Sequence, residues 1–548
     1  MSNAALYLHP DAYDTSGARL MGRHSAGESF LRGFLRHADV DRFHLWNVAR
    51  QPQADLEALL RLHGAPERPI VWHANRRRLA EAGVLNMPVP GLAHEAWARR
   101  PMGEQAYAIC GITHTTASDT VMRNVAELLL SPLHDYDALI CTSSAVHRSV
   151  ETELDGVREY IVQEYGPRRR PEPMRTVIPL GVNVGDFAVD AAQRKAWRDR
   201  LEIPDDAVVA LYVGRFDIRA KMNPALMALA LERAAARTSR PLIWLNSGWA
   251  ASDKLAEEYH STCRALCPSV QYRHVDGRPP DVRFSIWAAG DLFISFSDNI
   301  QETFGLTPVE AMAAGLPCVV TDWDGYRDTV RHGEDGFRIP TYAPPPGAGG
   351  DFAYFYADSA INYQAYVGGA AQYTAIDFAA AAQAIVDLAE NPDLRRRMGA
   401  AAQARARTAF DWSAVIPQYQ ALWAEQAARR SAAPVVPGPA DNPFRPDPFA
   451  LFGGYATRHL RGDWIVSAAP GVAWSDAAAV LTSPLAAHSG VNRPALAECA
   501  KLFEHLAANG PSTVTDAVAQ FSGGMRAFMQ RGILWMARFG VLTLTPPA

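Results

Sequence analysis

The chain has 548 residues, too many for one hydrophobic core, so its length predicts three or four domains. Hydrophobic residues make up 48% and charged residues 20%, which excludes bulk disorder, and the formal net charge of -5 gives no overall bias toward nucleic acid. We find no run of 18 apolar residues and no segment resembling a signal peptide, and most of the six cysteines lie in apolar runs. We therefore expect a cytoplasmic protein with reduced thiols.

Short apolar runs alternate with helical patterns in the first part of the chain. These strand-length runs fall at residues 6–8, 43–46, 69–72, 106–109 and 138–141. Each is followed by a polar or glycine-containing turn, which is typical of βαβ units in a parallel sheet covered by helices. We therefore predict a Rossmann-like domain over residues 1–180.

A second series of the same kind follows an arginine- and proline-rich interruption at 168–174. Its strand-like runs fall at residues 208–213, 242–245, 292–295 and 318–320. Two successive open α/β units predict two Rossmann-like domains that face each other across a cleft. We assign the second domain to residues 181–430, with a surface loop at 344–350 and helices from 378 onward.

The C-terminal part of the chain is predicted to form a separate module. The proline-rich segment 431–448 is typical of a linker, and residues 449–548 follow it. Helical patterns and one terminal strand predict a small, mainly helical, winged-helix-like domain; they fall at 496–506, 515–521, 525–535 and 541–544. From Pro443 onward there are eight basic and six acidic residues, too little positive charge for a DNA-binding face. We expect this module to dock a protein partner or a second copy of the chain.

The most informative stretch is 301–315. Thr307 is a good N-cap with Pro308 at the first helical position, and Glu310 would complete a Thr-x-x-Glu capping box. Gly305 precedes this helix, so free N–H groups and the positive end of the helix dipole point out of a turn that a phosphate can approach closely. The pattern predicts an anion site at the edge of a parallel sheet, with a capped helix that binds no ligand as the alternative.

With its surroundings, this stretch resembles the family 4 retaining glycosyltransferases, which have the GT-B fold. Glu302 and Glu310 fit the Glu-x7-Glu signature of that family. Other matching segments are Gly305-Leu306, Glu310-Ala311-Met312, Ala314-Gly315-Leu316-Pro317, Val213-Gly214-Arg215 with Lys221, the interdomain segment 177–182, and 322–328 after the motif helix. The similarity covers about residues 1–430 and is strongest from 176 to 340.

The resemblance implies a set of donor-binding residues, namely Gly27, Arg215, Lys221, Glu302, Phe304, Gly305, Leu306, Thr307 and Glu310. Arg215 and Lys221 would neutralise the donor diphosphate, whose negative charge grows in the transition state. The backbone N–H groups of Gly305 and Leu306 would bind the phosphate. Glu302 would contact hydroxyls of the donor sugar, and Glu310 would bond the ribose hydroxyls unless it serves the capping box.

The catalytic set implied by the resemblance is His114 together with Glu302, Arg215 and Lys221. His114 follows a strand end and matches the cleft histidine of the family, with a purely structural histidine as the alternative. Residues 22–27 resemble the glycine-bearing loop of the family, before a helix that we expect to begin near residue 28. No carboxylate nucleophile is expected, because in this family the leaving phosphate is thought to help deprotonate the acceptor.

Two charged patterns leave alternatives open. Asp322 and Asp324 form an Asp-x-Asp pattern like the metal site of the other glycosyltransferase fold. They lie where this family has a segment that binds no metal, so we expect no metal and no cofactor. The basic runs 76–78 and 168–170 are either solvated faces or contacts with an anionic acceptor or a membrane surface.

The implied function is a hexosyltransferase-type retaining glycosyltransferase that acts without a metal in polysaccharide biosynthesis. Its partners would be a nucleotide-sugar donor and a glycan, lipid-linked sugar or protein acceptor, with peripheral membrane contact and no nucleic acid. One alternative is a GT-B nucleotide-sugar epimerase, against which the Glu-x7-Glu block and the Arg215/Lys221 pair argue. The other is a non-catalytic scaffold that binds sugar nucleotides.

Overall fold

The structure is a computed structural model that describes residues 3–13, 22–64, 68–167, 171–435, 441–489 and 493–547. The chain divides into two compact units, Met1–Asp441 and Asn442–Ala548. Among the helices in these ranges, none is both long enough and apolar enough to cross a membrane. All six cysteines are buried and free, and none forms a disulfide.

The first domain of the larger unit is built on a parallel seven-stranded sheet. Its strands are β1 (Ala5–Leu8), β2 (Phe43–Asn47), β3 (Ile70–His73), β4 (Val84–Asn86), β5 (Ala108–Ile112), β6 (Ala138–Cys141) and β7 (Met174–Val177). They lie in the order β3-β2-β1-β4-β5-β6-β7. The order reverses between β1 and β4, and open α/β sheets bind ligands at the carboxyl ends of the strands that flank such a reversal.

Helices cover both faces of this sheet. They are α1 (Pro10–Tyr13), α2 (Gly22–His37), α3 (Gln53–Leu62), α4 (Ala93–Arg99), α5 (Asp119–Leu130) and α6 (Ser144–Tyr165). The side chains of Ser118 and Ser143 cap α5 and α6 by accepting backbone N–H bonds. Arg99 at the end of α4 forms a fully buried two-point ion pair with Asp137, at 2.7 and 2.8 Å, which joins that helix to the start of β6.

The second domain contains a parallel six-stranded sheet. Its strands are β8 (Val208–Arg215), β9 (Leu242–Trp249), β10 (Gln271–Asp276), β11 (Leu292–Ser295), β12 (Cys318–Thr321) and β13 (Gly336–Ile339), in the order β10-β9-β8-β11-β12-β13. A short antiparallel pair, β14 (Thr341–Tyr342) and β15 (Ala375–Ile376), lies beyond it. The predicted GT-B architecture of two Rossmann-like domains is confirmed, and the strand order of the second sheet reverses between β8 and β11.

The helices of this part of the chain are α7 (Ala191–Arg200), α8 (Ala225–Ala235), α9 (Asp253–Leu266), α10 (Pro280–Ser285), α11 (Leu306–Ala313), α12 (Tyr326–Thr329), α13 (Gly350–Ala357), α14 (Tyr363–Ala371), α15 (Phe378–Glu390), α16 (Pro392–Arg405) and α17 (Trp412–Ala432). Helices α13 and α14 were not predicted from the sequence. Both are short, and their glycine, alanine and tyrosine residues carry no clear amphipathic period.

The last helix of the larger unit, α17, falls in the range predicted for the second domain, yet it packs against the first. The Trp412 ring lies 5.5 Å from the Phe30 ring on α2. Gln426 donates hydrogen bonds of 3.0 Å to the carbonyls of Ile109 and Tyr136. A Cβ on Gly33 or on Gly181 would overlap the Trp412 indole. Helix α17 can therefore pack this closely only because both positions are glycine. The amphipathic pattern of α17 indicates a helix but not the domain it covers.

The smaller unit combines helices with a three-stranded antiparallel sheet. Its helices are α18 (Pro448–Leu451), α19 (Trp474–Thr482), α20 (Leu496–Asn509), α21 (Val514–Ala519) and α22 (Gly523–Arg538). The strands β16 (Ile465–Ala468), β17 (Ser512–Thr513) and β18 (Leu542–Thr545) lie in the order β17-β16-β18. The central strand, β16, was not predicted, because only one of its four residues is buried and the sequence shows no apolar run there. Likeness to a winged helix stays a prediction, and residues 436–440 of the predicted linker lie outside the described ranges.

Candidate functional site

Two loops meet at the carboxyl edge of the second sheet, one after β8 and the other after β11. The Lys221 ammonium of the first loop lies 2.5 Å from a carboxylate oxygen of Glu302 in the second. The Asn299 side chain donates a 2.7 Å hydrogen bond to the Arg219 carbonyl, which ties the same two loops together. Lys221 and Glu302, 81 positions apart in the sequence, are therefore brought together at the point where the strand order reverses.

The Glu302 carboxylate is held in its charged form. Burial alone would raise its pKa, but the charge of Lys221, a hydrogen bond from that ammonium and the backbone N–H groups of Thr303 and Phe304 together hold the pKa below its usual value. Its side chain is 12% exposed and that of Lys221 is 25% exposed. A phosphate bound at this edge of the sheet would contact the Lys221 ammonium, which the Glu302 carboxylate already holds in position.

The predicted capping box is wrong. Helix α11 begins at Leu306 with Gly305 as its N-cap at φ +86°, and no side chain caps it. Thr307 lies inside the first turn and does not cap the helix, while the Tyr326 hydroxyl bonds the Ser295 hydroxyl at 2.8 Å. The Tyr326 ring also fills the place that a Cβ on residue 305 would take. No side chain caps the backbone N–H groups at the start of α11, and uncapped N–H groups at a helix N-terminus can bind an anion.

Glu310 lies in the second turn of α11 and has no capping role. Burial raises its pKa to about 7, and the nearby charges of Arg283 and Lys221 oppose that shift only in part. The assignment of Glu310 to ribose hydroxyls stays a prediction. Sequence reasoning missed Arg283, which lies on the short helix α10 and belongs to no motif.

Arg215 is the last residue of β8 and lies at the same sheet edge as Lys221. Its guanidinium is 3.6 Å from the carboxylate of Asp217 and its side chain is 31% exposed. The backbone N–H of Lys221 donates to the carbonyl of Asp217 at 3.0 Å, so the loop folds back and carries both cations. Their predicted role toward a diphosphate is consistent with this position.

His114 is joined to the same site from the first domain. It follows β5, and its backbone carbonyl accepts a 3.1 Å hydrogen bond from the Thr303 hydroxyl. Thr303 is adjacent to Glu302, so the loop that carries the predicted cleft histidine contacts the loop that carries the signature glutamate. The loops that carry His114, Glu302 and Lys221 are thus in contact, and the catalytic roles of these residues and of Arg215 stay a prediction.

Gly27 does not lie at the end of a loop. The predicted start of the helix near residue 28 is wrong, because α2 already runs from Gly22, which places Gly27 inside it. A Cβ at this position would overlap the backbone carbonyl of Ala12 in α1. Close packing of two helices therefore requires this glycine, and its assignment to donor binding stays a prediction.

The helices α13 and α14 reach from the second domain to the His114 loop. The Tyr356 hydroxyl accepts a 3.0 Å hydrogen bond from the backbone N–H of Asp119, at the start of α5. Ala117 from the first domain packs with Ala220 and Val367 from the second in a small buried apolar cluster. This bridge lies beside the loop of Lys221, and no motif indicated it.

The Asp-x-Asp pattern of Asp322 and Asp324 lies among nearby charged side chains. Asp322 lies 3.4 Å from Arg338 and 3.7 Å from Arg327, while burial and then the charge of Glu302 raise the pKa of Asp324 well above its usual value. Within the described residues, no group of three or more acidic, histidine or cysteine side chains is arranged to hold a metal ion.

The basic run at 76–78 is used inside the first domain. Arg76 forms a two-point ion pair with Glu95 and lies over the Trp46 ring, while Arg78 pairs with Glu81. Such pairing leaves these two side chains less suited to an external anion. The second run, 168–170, lies outside the described residues.

A family comparison covers the segment that holds most of this site. Residues 193–345 match the family model described as glycosyl transferases group 1. This segment of the second domain is therefore similar to that family. The matched segment contains Arg215, Lys221, Glu302 and the whole of α11.

Curated relatives of the chain include two bacterial enzymes named D-inositol 3-phosphate glycosyltransferase. The one from Corynebacterium diphtheriae is 27% identical over 266 residues, 47% of this chain and 58% of the relative. The one from Streptomyces scabiei is 29% identical over 250 residues, 44% of this chain and 46% of the relative. The chain thus spans about half the length of these glycosyltransferases.

Solved structures similar to this chain include HepE of Anabaena in complex with UDP, at 16% identity and a TM-score of 0.48, covering 78% of this chain and 100% of that one. Sucrose-phosphate synthase of Thermosynechococcus elongatus is similar at 16% identity and a TM-score of 0.46, with the same coverage. The assignment of the GT-B fold to this chain rests on the strand order of its own two parallel sheets.

Proposed function

We propose that this chain is a retaining glycosyltransferase that uses a nucleoside-diphosphate sugar as donor and needs no metal ion. The observation that supports this most is the pairing of Lys221 with Glu302 beside the start of α11. Two cations, counting Arg215, and a helix N-terminus suit a diphosphate, whereas an ionised carboxylate suits sugar hydroxyls.

In the proposed reaction, the bond between the anomeric carbon and the donor phosphate oxygen breaks, and the nucleoside diphosphate leaves with the bonding electron pair. The acceptor hydroxyl oxygen forms the new bond to that carbon on the same face, and its proton passes to an oxygen of the leaving phosphate. Arg215, Lys221 and the backbone N–H groups of residues 305 and 306 stabilise the charge that grows on the diphosphate. Glu302 orients the sugar through its hydroxyls.

In this scheme, Lys221 contacts Glu302 before the donor binds and the donor diphosphate afterwards. Before binding, its ammonium contacts Glu302 at 2.5 Å. The diphosphate would accept part of the Lys221 interaction, which releases carboxylate oxygens of Glu302 to accept bonds from the sugar. Donor binding and sugar orientation are therefore coupled through one lysine.

The acceptor is proposed to bind on the first domain, next to His114, and to be a glycan, a lipid-linked sugar or a protein. Inositol phosphate belongs in the acceptor panel, because the curated relatives carry D-inositol 3-phosphate in their names. For residues 449–548 we propose docking of a partner protein or a second copy, since Phe449, Phe452 and Tyr455 expose 67%, 48% and 86% of their surfaces.

We also propose peripheral contact of the chain with a membrane surface, which sedimentation with lipid vesicles tests.

The test combines thermal shift with release of nucleoside diphosphate for UDP-, GDP-, ADP- and TDP-sugars. A donor at 100 times its dissociation constant should add about 2.7 kcal/mol of stability. Lys221→Ala should reduce both the shift and the release, whereas Lys254→Ala, an exposed lysine on α9, should leave them unchanged.

Three outcomes would contradict the proposal. Conversion of the donor into an epimer without an acceptor would indicate an epimerase. A thermal shift with no release under any acceptor would indicate a binding scaffold. No shift and no release with all four donors would remove the sugar-nucleotide assignment itself.

A further inference from the structure

Helices α13 and α14 form one packed unit between β14 and β15. We call residues 350–371 the α13–α14 hairpin. The Tyr356 ring on α13 stacks on the Tyr366 ring on α14, with centroids 4.4 Å apart and ring planes at 10°. A Cβ on Gly369 would overlap the Phe352 ring, so this glycine lets the two helices approach closely. Aromatic stacking and close packing therefore fix the two helices relative to each other.

Helix α14 packs on the two loops of the second domain that carry the motif residues, one after β8 and the other after β11. A Cβ on Gly368 would lie 3.0 Å from the Arg219 carbonyl oxygen, so α14 approaches the backbone of the first loop closely. The fully buried Val367 packs with Ala220 of the same loop. Ile300 of the second loop packs against this cluster. The hairpin therefore contacts both loops.

The hairpin also contacts the start of α5 in the first domain. Asp119 is the first residue of α5, and a backbone N–H at that position has no partner within its own helix. The Ser118 side chain caps a different N–H of this helix, whereas the Tyr356 hydroxyl accepts the N–H of Asp119 at 3.0 Å. Ala117 is buried in the same apolar cluster as Val367. A tyrosine from the second domain thus completes the cap of a helix in the first.

Residues 114–119 are consequently held to the second domain at both ends. At one end the His114 carbonyl accepts the hydrogen bond from Thr303, and at the other end the hairpin holds Asp119. The proposed acceptor side of the cleft lies next to His114. Transfer needs the acceptor hydroxyl and the anomeric carbon in near-attack geometry, and a small misplacement lowers the rate steeply. The position of this segment therefore affects the reaction directly.

We propose that Tyr356 and Val367 are positioning residues, which hold residues 114–119 against the loops that bind the donor and so align the reacting groups. This inference rests on the proposed glycosyltransferase function. The two side chains act through the segments that they contact and not by touching a substrate. Their loss should lower the rate of transfer and spare donor affinity, because Arg215 and Lys221 both lie in the second domain.

The first experiment measures the arrangement of the two domains and uses no substrate. All six native cysteines are buried, so spin labels can be directed to Glu127→Cys on α5 and Glu258→Cys on α9, both exposed positions. In pulsed EPR, Tyr356→Ala and Val367→Ala should each broaden the distance distribution. Tyr354→Ala is the matched control, because this tyrosine of α13 is 66% exposed, and it should keep the wild-type distribution. Unchanged distributions in folded Tyr356→Ala and Val367→Ala would overturn the proposal.

The second experiment separates rate from affinity, with the donor that the four-donor panel identifies and with the acceptor panel. Tyr356→Ala and Val367→Ala should each lower kcat by about tenfold or more and leave the dissociation constant of the donor unchanged. Tyr356→Phe keeps the ring that stacks on Tyr366 but lacks the hydroxyl, so its kcat should lie between those of wild type and Tyr356→Ala. An unchanged kcat, or a loss of donor affinity as large as the loss of rate, would overturn the proposal.

The proposed function and the positioning role can fail separately. Circular dichroism identifies a variant that does not fold, and the other alanine variant then decides. Broadened distributions in a chain that turns over no sugar nucleotide would refute the glycosyltransferase function but keep the role of the hairpin between the domains. Wild-type distributions and kcat in both folded variants of a chain that does transfer sugar would refute the positioning role alone.

Discussion

Substitution of Glu310 by Gln should stabilise the protein at pH 8 and have little effect on stability near pH 4.5. Burial raises the pKa of this carboxyl to about 7, against an ordinary value of 4.5. Between these two values the folded state binds a proton that the unfolded state does not, so wild-type stability falls as the pH rises through this window. The neutral amide of Gln removes that penalty.

The magnitude follows from the shift. A difference of about 2.5 pH units at about 1.36 kcal/mol per unit corresponds to a penalty on the order of 3 kcal/mol above pH 7. In a unit of this size, that amounts to a rise of several degrees in Tm. Burial also raises the pKa values of Asp298 and Glu153 to about 7, so only the difference between variant and wild type isolates Glu310.

The assay is thermal melting at several pH values from 4.5 to 8, following the transition that the donor shifts. Glu258→Gln, an exposed glutamate on α9, is the control and should show no pH-dependent difference. If Glu310 accepts bonds from ribose hydroxyls, the same variant should also lose about 1.5–3 kcal/mol of donor affinity in calorimetry. A melting profile that runs parallel to wild type across this range would refute the argument from burial, and unchanged donor affinity would refute the ribose role.

Three further predictions test other parts of the chain. Gly305→Ala should destabilise the larger unit by roughly 1 kcal/mol or more and reduce donor binding, because the position has φ +86° and a Cβ would overlap Tyr326. Gly349→Ala is the control, because the space around its Cβ is open. Equal melting temperatures of the two variants would contradict this prediction. Turnover should survive EDTA, because two side-chain cations are proposed to neutralise the diphosphate; full loss that Mn²⁺ or Mg²⁺ restores would bring Asp322 and Asp324 back as ligands. Truncation after residue 441 should leave donor affinity within twofold and alter size-exclusion mass or solubility; loss of donor binding in a truncated chain that still folds would show that the smaller unit completes the site.

The order of the secondary structure could be predicted from the sequence because the evidence for it is local. Apolar runs of strand length mark buried parallel strands, and all nine runs named in the two Rossmann-like domains lie within or overlap a strand. In the smaller unit, apolar residues at helical spacing, followed by a glycine, likewise predicted α20 and α22. The candidate site was also visible in sequence, since Lys221, Glu302 and Glu310 belong to one motif set.

Other features depend on which residues meet in space, and only the tertiary structure decided them. The capping pattern at Thr307 is locally sound, yet α11 begins at Leu306 with Gly305 as its N-cap, and the Tyr326 ring from another element packs against that glycine. Gly27 looks like a loop glycine, whereas packing of α1 against α2 requires it inside a helix.

The same reason explains why α17 packs on the first domain and why α13 and α14 bridge the two domains. Each is made by residues far apart in the chain, such as Phe30 and Trp412. Periodicity shows which face of an element is apolar, but it does not show which partner covers that face. The sequence by itself therefore determined most of the elements and the motif residues at the carboxyl edge of the second sheet. The tertiary structure decided which domain α17 covers and how α13 and α14 join the two domains, because those properties arise from contacts between distant segments.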